Sequence, residues 1–285
     1  MAGVASYIVV GSGVFGASTA LHLIRAYPSA RVRLVDRDGY AAPTRVAASW
    51  DWNKVVRADY RDIAYARLAL EARDLWRDDP LYRPFYHESG VFWISAAGFA
   101  DQVVANFARL GFDGGLRGHA VGEAAGLYCG IFGGADYDGA ESVLVNPTAG
   151  WADAKDALRR VIEEAVALGV EYVQAEVAAL ALEEAGDAAC RGVVTAAGET
   201  LTADRVLLCT GAYTAKLLMD SAPGRTSLHA GGRFVAAAAS QAVAPLDEEQ
   251  LRLFRRMPVA IHALPHAPCR SLAAVPHPLP SGSRG

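Results

Sequence analysis

The sequence predicts an α/β fold built on a doubly wound parallel sheet, and three observations carry that prediction. A short β-branched run, Tyr7 to Val10, ends on a glycine-rich loop. An amphipathic segment follows at once, and a second apolar run closes the unit at Asp36. Much later, Arg205 to Leu208 leads into a second glycine turn and a further helical pattern, so two strand–glycine–helix junctions lie far apart in the chain. A doubly wound sheet brings such junctions to one edge.

Tyr7 to Val10 reads as a central strand buried on both faces, because it is continuously apolar rather than alternating. The helix after it places Ala17, Ala20, Leu21 and Ile24 on one stripe and must stop before Pro28, since the residue preceding proline avoids the α region. Val32 to Val35 is the second strand of a βαβ unit with a right-handed crossover. Asp59 to Trp76 is rich in helix formers and Gly90 to Ile94 reads as a strand. The glycine-rich stretch from there to about Asn146 fits a second domain. Trp151 to Leu168 is an amphipathic helix with Leu158, Val161, Ile162 and Ala165 on one stripe, capped by Gly169. Val170 to Leu182 reads as extended chain, and 192–195 with 200–203 flank a turn at Gly198, a hairpin expected over the nucleotide site. Arg205 to Leu208 is a strand, and Tyr213 to Met219 a helix. Beyond about Met257 the prolines multiply, and an unstructured tail is expected.

Composition narrows the function. The 285 residues are 52% hydrophobic, enough for a sizeable core, and the net charge of -4 comes from mixed charges with no basic run to track a phosphate backbone. Nucleic acid and membrane are therefore not expected partners. Glycines and Arg25 interrupt the N-terminal apolar stretches before they reach the roughly 20 residues of a membrane span. Cys129, Cys190, Cys209 and Cys269 are widely separated, without a CxxC, so no zinc site is expected and a reducing compartment fits. His262, His266 and His277 have irregular spacing in the proline-rich segment and are not read as metal ligands.

Gly11-Ser12-Gly13-Val14-Phe15-Gly16 is a GxGxxG run placed between strand and helix, where its mechanism requires it. Gly11 permits the tight turn, Gly13 lets backbone approach a pyrophosphate, and Gly16 lets the helix pack on the sheet. The phosphates would rest on unpaired N–H groups at the positive end of the helix. Asp36, about 20 residues after Gly16, stands where a carboxylate accepts hydrogen bonds from the adenosine ribose and disfavours a 2′-phosphate. This is a Rossmann fingerprint for a dinucleotide, and by itself it leaves FAD and NAD equally open.

Further runs carry a resemblance. Val9 through Asp36, the block Ala48-Ser49-Trp50-Asp51-Trp52-Asn53-Lys54-Val55-Val56-Arg57-Ala58-Asp59-Tyr60, then Gly90 to Ile94, Ala149 to Ala152 and Leu207 to Thr214 are all involved. Together they resemble the fungal fructosyl amino acid oxidase and saccharopine (pipecolate) oxidase group of the D-amino-acid-oxidase/sarcosine-oxidase superfamily, over the chain up to about Val259.

The resemblance implies a Rossmann-type, glutathione-reductase-like FAD-binding domain made of 1–89 and 148–225. It implies a smaller α+β substrate domain from 90–147 and 226–259, incomplete at the C-terminus, with 260–285 as a disordered tail. The cofactor implied is FAD, held by Gly11, Gly13, Val14, Phe15, Gly16, Asp36, Arg37, Ser49, Asn53, Lys54, Val177, Thr210 and Gly211. Val177 would give backbone contacts to adenine, and Thr210 with Gly211 would close over the cofactor. Lys54 is the implied catalytic residue, a fixed ammonium beside the reactive edge of the flavin.

The implied reaction oxidises the C–N bond of a secondary amine or amino acid, of glycated, saccharopine, pipecolate or sarcosine type, with O2, to an imine and H2O2. The implied molecule is a monomer whose partners are a small amine substrate and O2. Members of the group continue well past the length of this chain, and Cys269 does not match the block that carries their covalent flavin. Many carry a C-terminal peroxisomal signal, whereas the ending Ser283-Arg284-Gly285 leaves cytoplasm as the expected location. The competing readings are a non-catalytic FAD-binding fragment and an NAD-dependent dehydrogenase.

Overall fold

The computed structural model describes residues 5–43, 45–96, 98–183, 189–237, 242–264 and 272–274. In chain order, β1 (Ser6–Val10), α1 (Val14–Ala26) and β2 (Arg31–Asp36) come first. They are followed by β3 (Lys54–Val56), α2 (Ile63–Asp78), β4 (Tyr86–His87), β5 (Val91–Ser95) and α3 (Phe99–Arg109). Next are β6 (Arg117–His119), α4 (Val121–Ala124), β7 (Ser142–Asn146) and β8 (Gly150–Ala152). Then come α5 (Ala154–Ala167), β9 (Glu171–Gln174), β10 (Val177–Leu182), β11 (Cys190–Thr195), β12 (Thr200–Thr202), β13 (Arg205–Leu208) and α6 (Thr214–Ser221). The last are α7 (Glu248–Phe254), β14 (Val259–Ala263) and β15 (Leu272–Ala274).

These elements form two units of similar length, Met1–Asp51 with Ala154–Ser240 and Trp52–Asp153 with Gln241–Gly285. The first unit holds a four-stranded sheet in the order β13-β1-β2-β9, all parallel. β1 is central, and Ile8 and Val9 are fully buried on its two faces. On one face Ile8, Val10 and Val35 pack against Val193 and Leu201 of the antiparallel β10-β11-β12 sheet, which is the hairpin anticipated around Gly198. α1 buries Gly16, Ala17, Ala20, Leu21 and Ile24, and packs on β2 and α5. α5 ends where Gly169, at φ +109°, turns the chain and lets Val170 N–H donate to the Ala165 carbonyl, a closure that favours glycine because it needs positive φ.

The second unit holds a mixed sheet, β15-β14-β5-β7-β6, and a small sheet, β3-β8-β4. Leu70, Val103, Phe107 and Leu144 form one core cluster, and Val91, Ala149, Trp151, Val259 and Ile261 another. Arg73 is buried on α2 but fully engaged: it donates to Thr148 Oγ1 at 3.1 Å and lies over the Phe112 ring at 4.3 Å.

Several boundaries differ from the sequence expectation. α2 starts at Ile63 rather than Asp59, because the Asp62 carboxylate accepts the N–H groups of Ala64 and Tyr65 at 2.7 and 3.3 Å and so stops the helix as its N-cap. Asp62→Ala should cost about 1 kcal/mol in a chemical denaturation experiment. Trp151 lies in β8, not in α5, because its strand pairs with both β3 and β4. α6 begins at Thr214, after a single 3-10 turn over Gly211–Tyr213. Residues 52–89 and 148–153 group with the second unit and 226–240 with the first, whereas the sequence reading placed them the other way.

The expected unstructured tail from residue 260 is corrected in part. Val259–Ala263 forms β14, parallel to β5 and antiparallel to β15. Val259 and Ile261 point into one buried cluster, a two-residue alternation that the surrounding prolines obscured. Residues 265–271 and 275–285, with Cys269, His266 and His277, lie outside the described residues.

Candidate functional site

Gly11 stands at the C-terminal end of β1, where its N–H donates to the Val35 carbonyl at 2.8 Å and its φ is +93°. A side chain there would meet the Cys209 carbonyl oxygen at 2.5 Å. The loop is thus pressed against the end of β13, and the two strand–glycine–helix junctions meet as the sequence anticipated. Gly16 is tighter: a Cβ would fall 1.7 Å from the Gly11 carbonyl oxygen. At Gly13 the nearest atom would be Ser49 Oγ at 3.3 Å.

α1 has no side-chain N-cap and no acidic residue in its first turn. A helix start left this way turns first-turn N–H groups beyond that of Val14, and the positive end of its dipole, toward an anion. Val14 N–H donates to Ser49 Oγ at 3.0 Å, which brings Ser49 to the loop. Val14 and Phe15 are both exposed.

Asp36 ends β2 and is held by a dense set of donors. Its Oδ2 accepts from Ser12 N–H at 2.7 Å and Ser12 Oγ at 3.0 Å, and Arg45 Nη2 lies 3.1 Å away. Among the described residues Oδ1 accepts only the Asp38 N–H, at 3.0 Å, which leaves it acceptor capacity. Ser12, Arg45 and Tyr172 were not anticipated from the sequence. Tyr172 Oη lies 3.0 Å from Ser12 Oγ and donates to the Asp38 carbonyl, and burial raises its pKa.

The remaining residues of this unit fall around the same edge. Arg37 lies over the Tyr213 ring at 5.2 Å, tying the turn after β2 to the second junction, and its pKa is raised by its interaction with the Tyr213 hydroxyl. Ala175 N–H donates to the Asp36 carbonyl at 2.8 Å, so the chain leaves β9 beside Asp36 and enters β10 at Val177 two residues later. Thr210 Oγ1 bonds Thr214 Oγ1 at 2.9 Å, and Gly211 adopts φ +55°.

Asn53 and Lys54 belong to the second unit. Lys54 is exposed at the start of β3, in register with Ala152 of β8. It sits on a strand rather than at a helix start. Arg57, three residues on, is sandwiched at 4.4 and 4.5 Å from the rings of Tyr60 and Trp93, and its Nη1 donates to the Asp59 carbonyl at 2.6 Å. The Asp59 side chain is buried. Its Oδ1 accepts from Asn146 Nδ2 at 2.7 Å while Oδ2 has no hydrogen-bond partner. Burial lifts its pKa from 3.8 to about 6, against the lowering effect of Asn146.

Among the described residues no group of three or more His, Cys, Asp or Glu side chains could hold a metal ion, and no helix is long and apolar enough to cross a membrane. His262 instead places Nε2 2.7 Å from the Asp136 carbonyl.

A parallel sheet with glycine junctions at one edge, a helix start without a side-chain N-cap and an anchored carboxylate have the arrangement of a Rossmann dinucleotide-binding unit. The chain belongs to the FAD dependent oxidoreductase family, whose model matches residues 6–272, and this decides between FAD and the NAD alternative. L-saccharopine oxidase of Schizosaccharomyces pombe is 28% identical over 266 residues, covering 88% of this chain and 59% of that protein. The fructosamine oxidase Amadoriase II of Aspergillus fumigatus is 28% identical with a TM-score of 0.65, covering 91% of this chain and 57% of that one. A fructosyl peptide oxidase shares the fold with a TM-score of 0.69, at 23% identity, over 91% of this chain and 60% of its own. The chain therefore spans about three fifths of the length of these relatives.

Proposed function

We propose that this chain binds FAD at the edge formed by the glycine loop, Asp36 and the second junction, and serves the oxidation of a secondary amine or N-substituted amino acid by O2. The observation that carries the reading is the loop itself. Gly11 and Gly16 are packed so closely against Cys209 and each other that only glycine fits, and the loop opens onto an uncapped helix start.

In this reading the α1 N-terminus holds the pyrophosphate, and the free lone pairs of Asp36 Oδ1 take a ribose hydroxyl. Val177 backbone groups face the adenine, while Thr210 and Gly211 bound the far side of the site. Asn53 and Lys54 serve the redox end, with Lys54 placing a fixed positive charge where negative charge develops. Bound FAD would supply the two-electron acceptor for a hydride from the carbon beside the amine nitrogen, the nitrogen losing its proton to leave an imine, and would pass the two electrons on to O2 to give H2O2. The amine is of saccharopine, glycated amino acid, pipecolate or sarcosine type, and the functional molecule is a monomer.

The purified chain should bind FAD, seen as quenching of flavin fluorescence and a visible absorption band. Acid precipitation should release the flavin if it is not covalent, and screening these four amine types for peroxide should find the substrate class. Chain that stays colourless in added FAD would refute the proposal. Asp36→Asn should weaken FAD binding about tenfold or more, as expected when a charged acceptor is lost. Unchanged affinity would assign Asp36 to holding Ser12 alone.

A further inference from the structure

Arg45 is walled in by its own chain, its side chain only 1% exposed. The guanidinium meets the glycine loop at Ser12: Nη2 bonds the Ser12 hydroxyl, and Nη1 and Nη2 both lie 3.5 Å from the Ser12 carbonyl. Nη2 also lies 3.1 Å from Asp36 Oδ2, and the group packs over the Trp50 ring at 5.4 Å. Nε is buried and has no hydrogen-bond partner among the described residues. A cation enclosed in this way reaches no ligand directly, so any effect it has on a cofactor passes through Ser12 and Asp36.

Both routes end at Asp36. Its side chain is only 14% exposed, and a carboxylate so placed is tolerated where it is paired and hydrogen-bonded. Oδ2 is held by three donors: Ser12 N–H at 2.7 Å, Ser12 Oγ at 3.0 Å and Arg45. Two of the three come from a residue standing between Gly11 and Gly13, where the backbone has the freedom that glycine confers. Arg45 removes that freedom by gripping the Ser12 hydroxyl and carbonyl, so it holds the carboxylate once directly and once through Ser12. Oδ1, with the Asp38 N–H as its one partner among the described residues, is the oxygen left to a ligand.

We propose that Arg45 is a positioning residue for the cofactor: by occupying Asp36 Oδ2 and fixing Ser12, it presets Asp36 Oδ1 as the acceptor for the adenosine ribose. This role rests on the FAD reading above. It differs from a purely structural ion pair in that the contribution of Arg45 to affinity vanishes once Asp36 is no longer a charged acceptor.

The test is a double-mutant cycle on the full chain, with FAD and ADP titrated calorimetrically against the unaltered protein, Arg45→Met, Asp36→Asn and the double variant. Arg45→Met should bind both ligands about tenfold or more weakly, a loss like that of Asp36→Asn. The double variant should bind within about twofold of Asp36→Asn alone. Losses that multiply would show Arg45 acting independently of Asp36, and undiminished affinity in Arg45→Met would leave it a structural ion pair; either overturns the proposal. Arg45→Lys, which keeps the charge but not the planar fork, covers the case where Arg45→Met does not fold. It should show a smaller loss that disappears in the Asp36→Asn background, and an equal loss in both backgrounds would again overturn the proposal. Failure of the unaltered chain to bind FAD or ADP would instead refute the FAD reading itself.

Discussion

Gly16→Ala should abolish FAD binding and destabilise the nucleotide-binding unit by about 3 kcal/mol or more. The added methyl would sit 1.7 Å from the Gly11 carbonyl oxygen, 2.9 Å from the Gly11 carbonyl carbon and 3.2 Å from Cys209 Cβ. The two closest atoms are backbone, so no rotamer relieves the clash and α1 must shift off β1. That shift would disturb the buried face of Ala17, Ala20, Leu21 and Ile24 and misdirect the first-turn N–H groups together. Gly13→Ala is the matched control. Its methyl would meet the rotatable Ser49 hydroxyl at 3.3 Å, so stability should change little while cofactor affinity falls where backbone must approach phosphate. Denaturation midpoints and FAD titrations of both variants give the comparison. Native-like stability and affinity in Gly16→Ala would contradict the packing described.

The second large effect concerns Asp59 and pH. Its carboxyl is buried with one unpartnered oxygen, and its folded pKa is about 6 against an ordinary 3.8. The folded state therefore holds the proton more tightly than the unfolded state. Between about pH 4 and pH 6 the unfolded chain ionises first, so stability falls as pH rises and then levels off above the folded pKa. At about 1.4 kcal/mol per pH unit the rise corresponds to about 3 kcal/mol lost by neutral pH. Asp59→Asn, which keeps the shape and an acceptor for Asn146, should remove this pH dependence. Denaturant unfolding followed from pH 4 to pH 8 should show the variant gaining relative to the original chain as pH rises. Parallel curves would show that Asp59 does not carry the proton uptake.

The glycine-loop edge of the sheet was legible in the sequence because its logic is local. Gly11, Gly13, Gly16 and Asp36 lie within one βαβ unit, and at Gly11 and Gly16 the packing of that unit itself demands glycine. The second junction at Thr210 and Gly211 was legible for the same reason. Ser12 and Arg45 were not. A serine inside GxGxxG occupies a variable position, and an arginine nine residues past Asp36 looks like a solvated loop charge until the fold buries it.

Asp59 was read as the start of a helix. Its burial depends on Asn146, far along the chain, and on the Asp62 cap that delays α2. The strand at Val259–Ala263 was read as tail for a related reason, since its partner β5 lies more than 150 residues earlier and parallel pairing leaves no turn signature between them.

By itself, then, the sequence determined the local grammar of this protein: where strands meet glycines, which helix starts are left open to an anion, and which carboxylate ends β2. The tertiary structure alone decided which charges are buried and with whom, placing Arg45 on Ser12 and Asp36, Arg57 between two aromatic rings, and Asp59 beneath β7. The division has a physical basis. Backbone conformation is set by neighbours in the chain, whereas desolvation and pairing of a charge depend on groups that only the folded chain brings together.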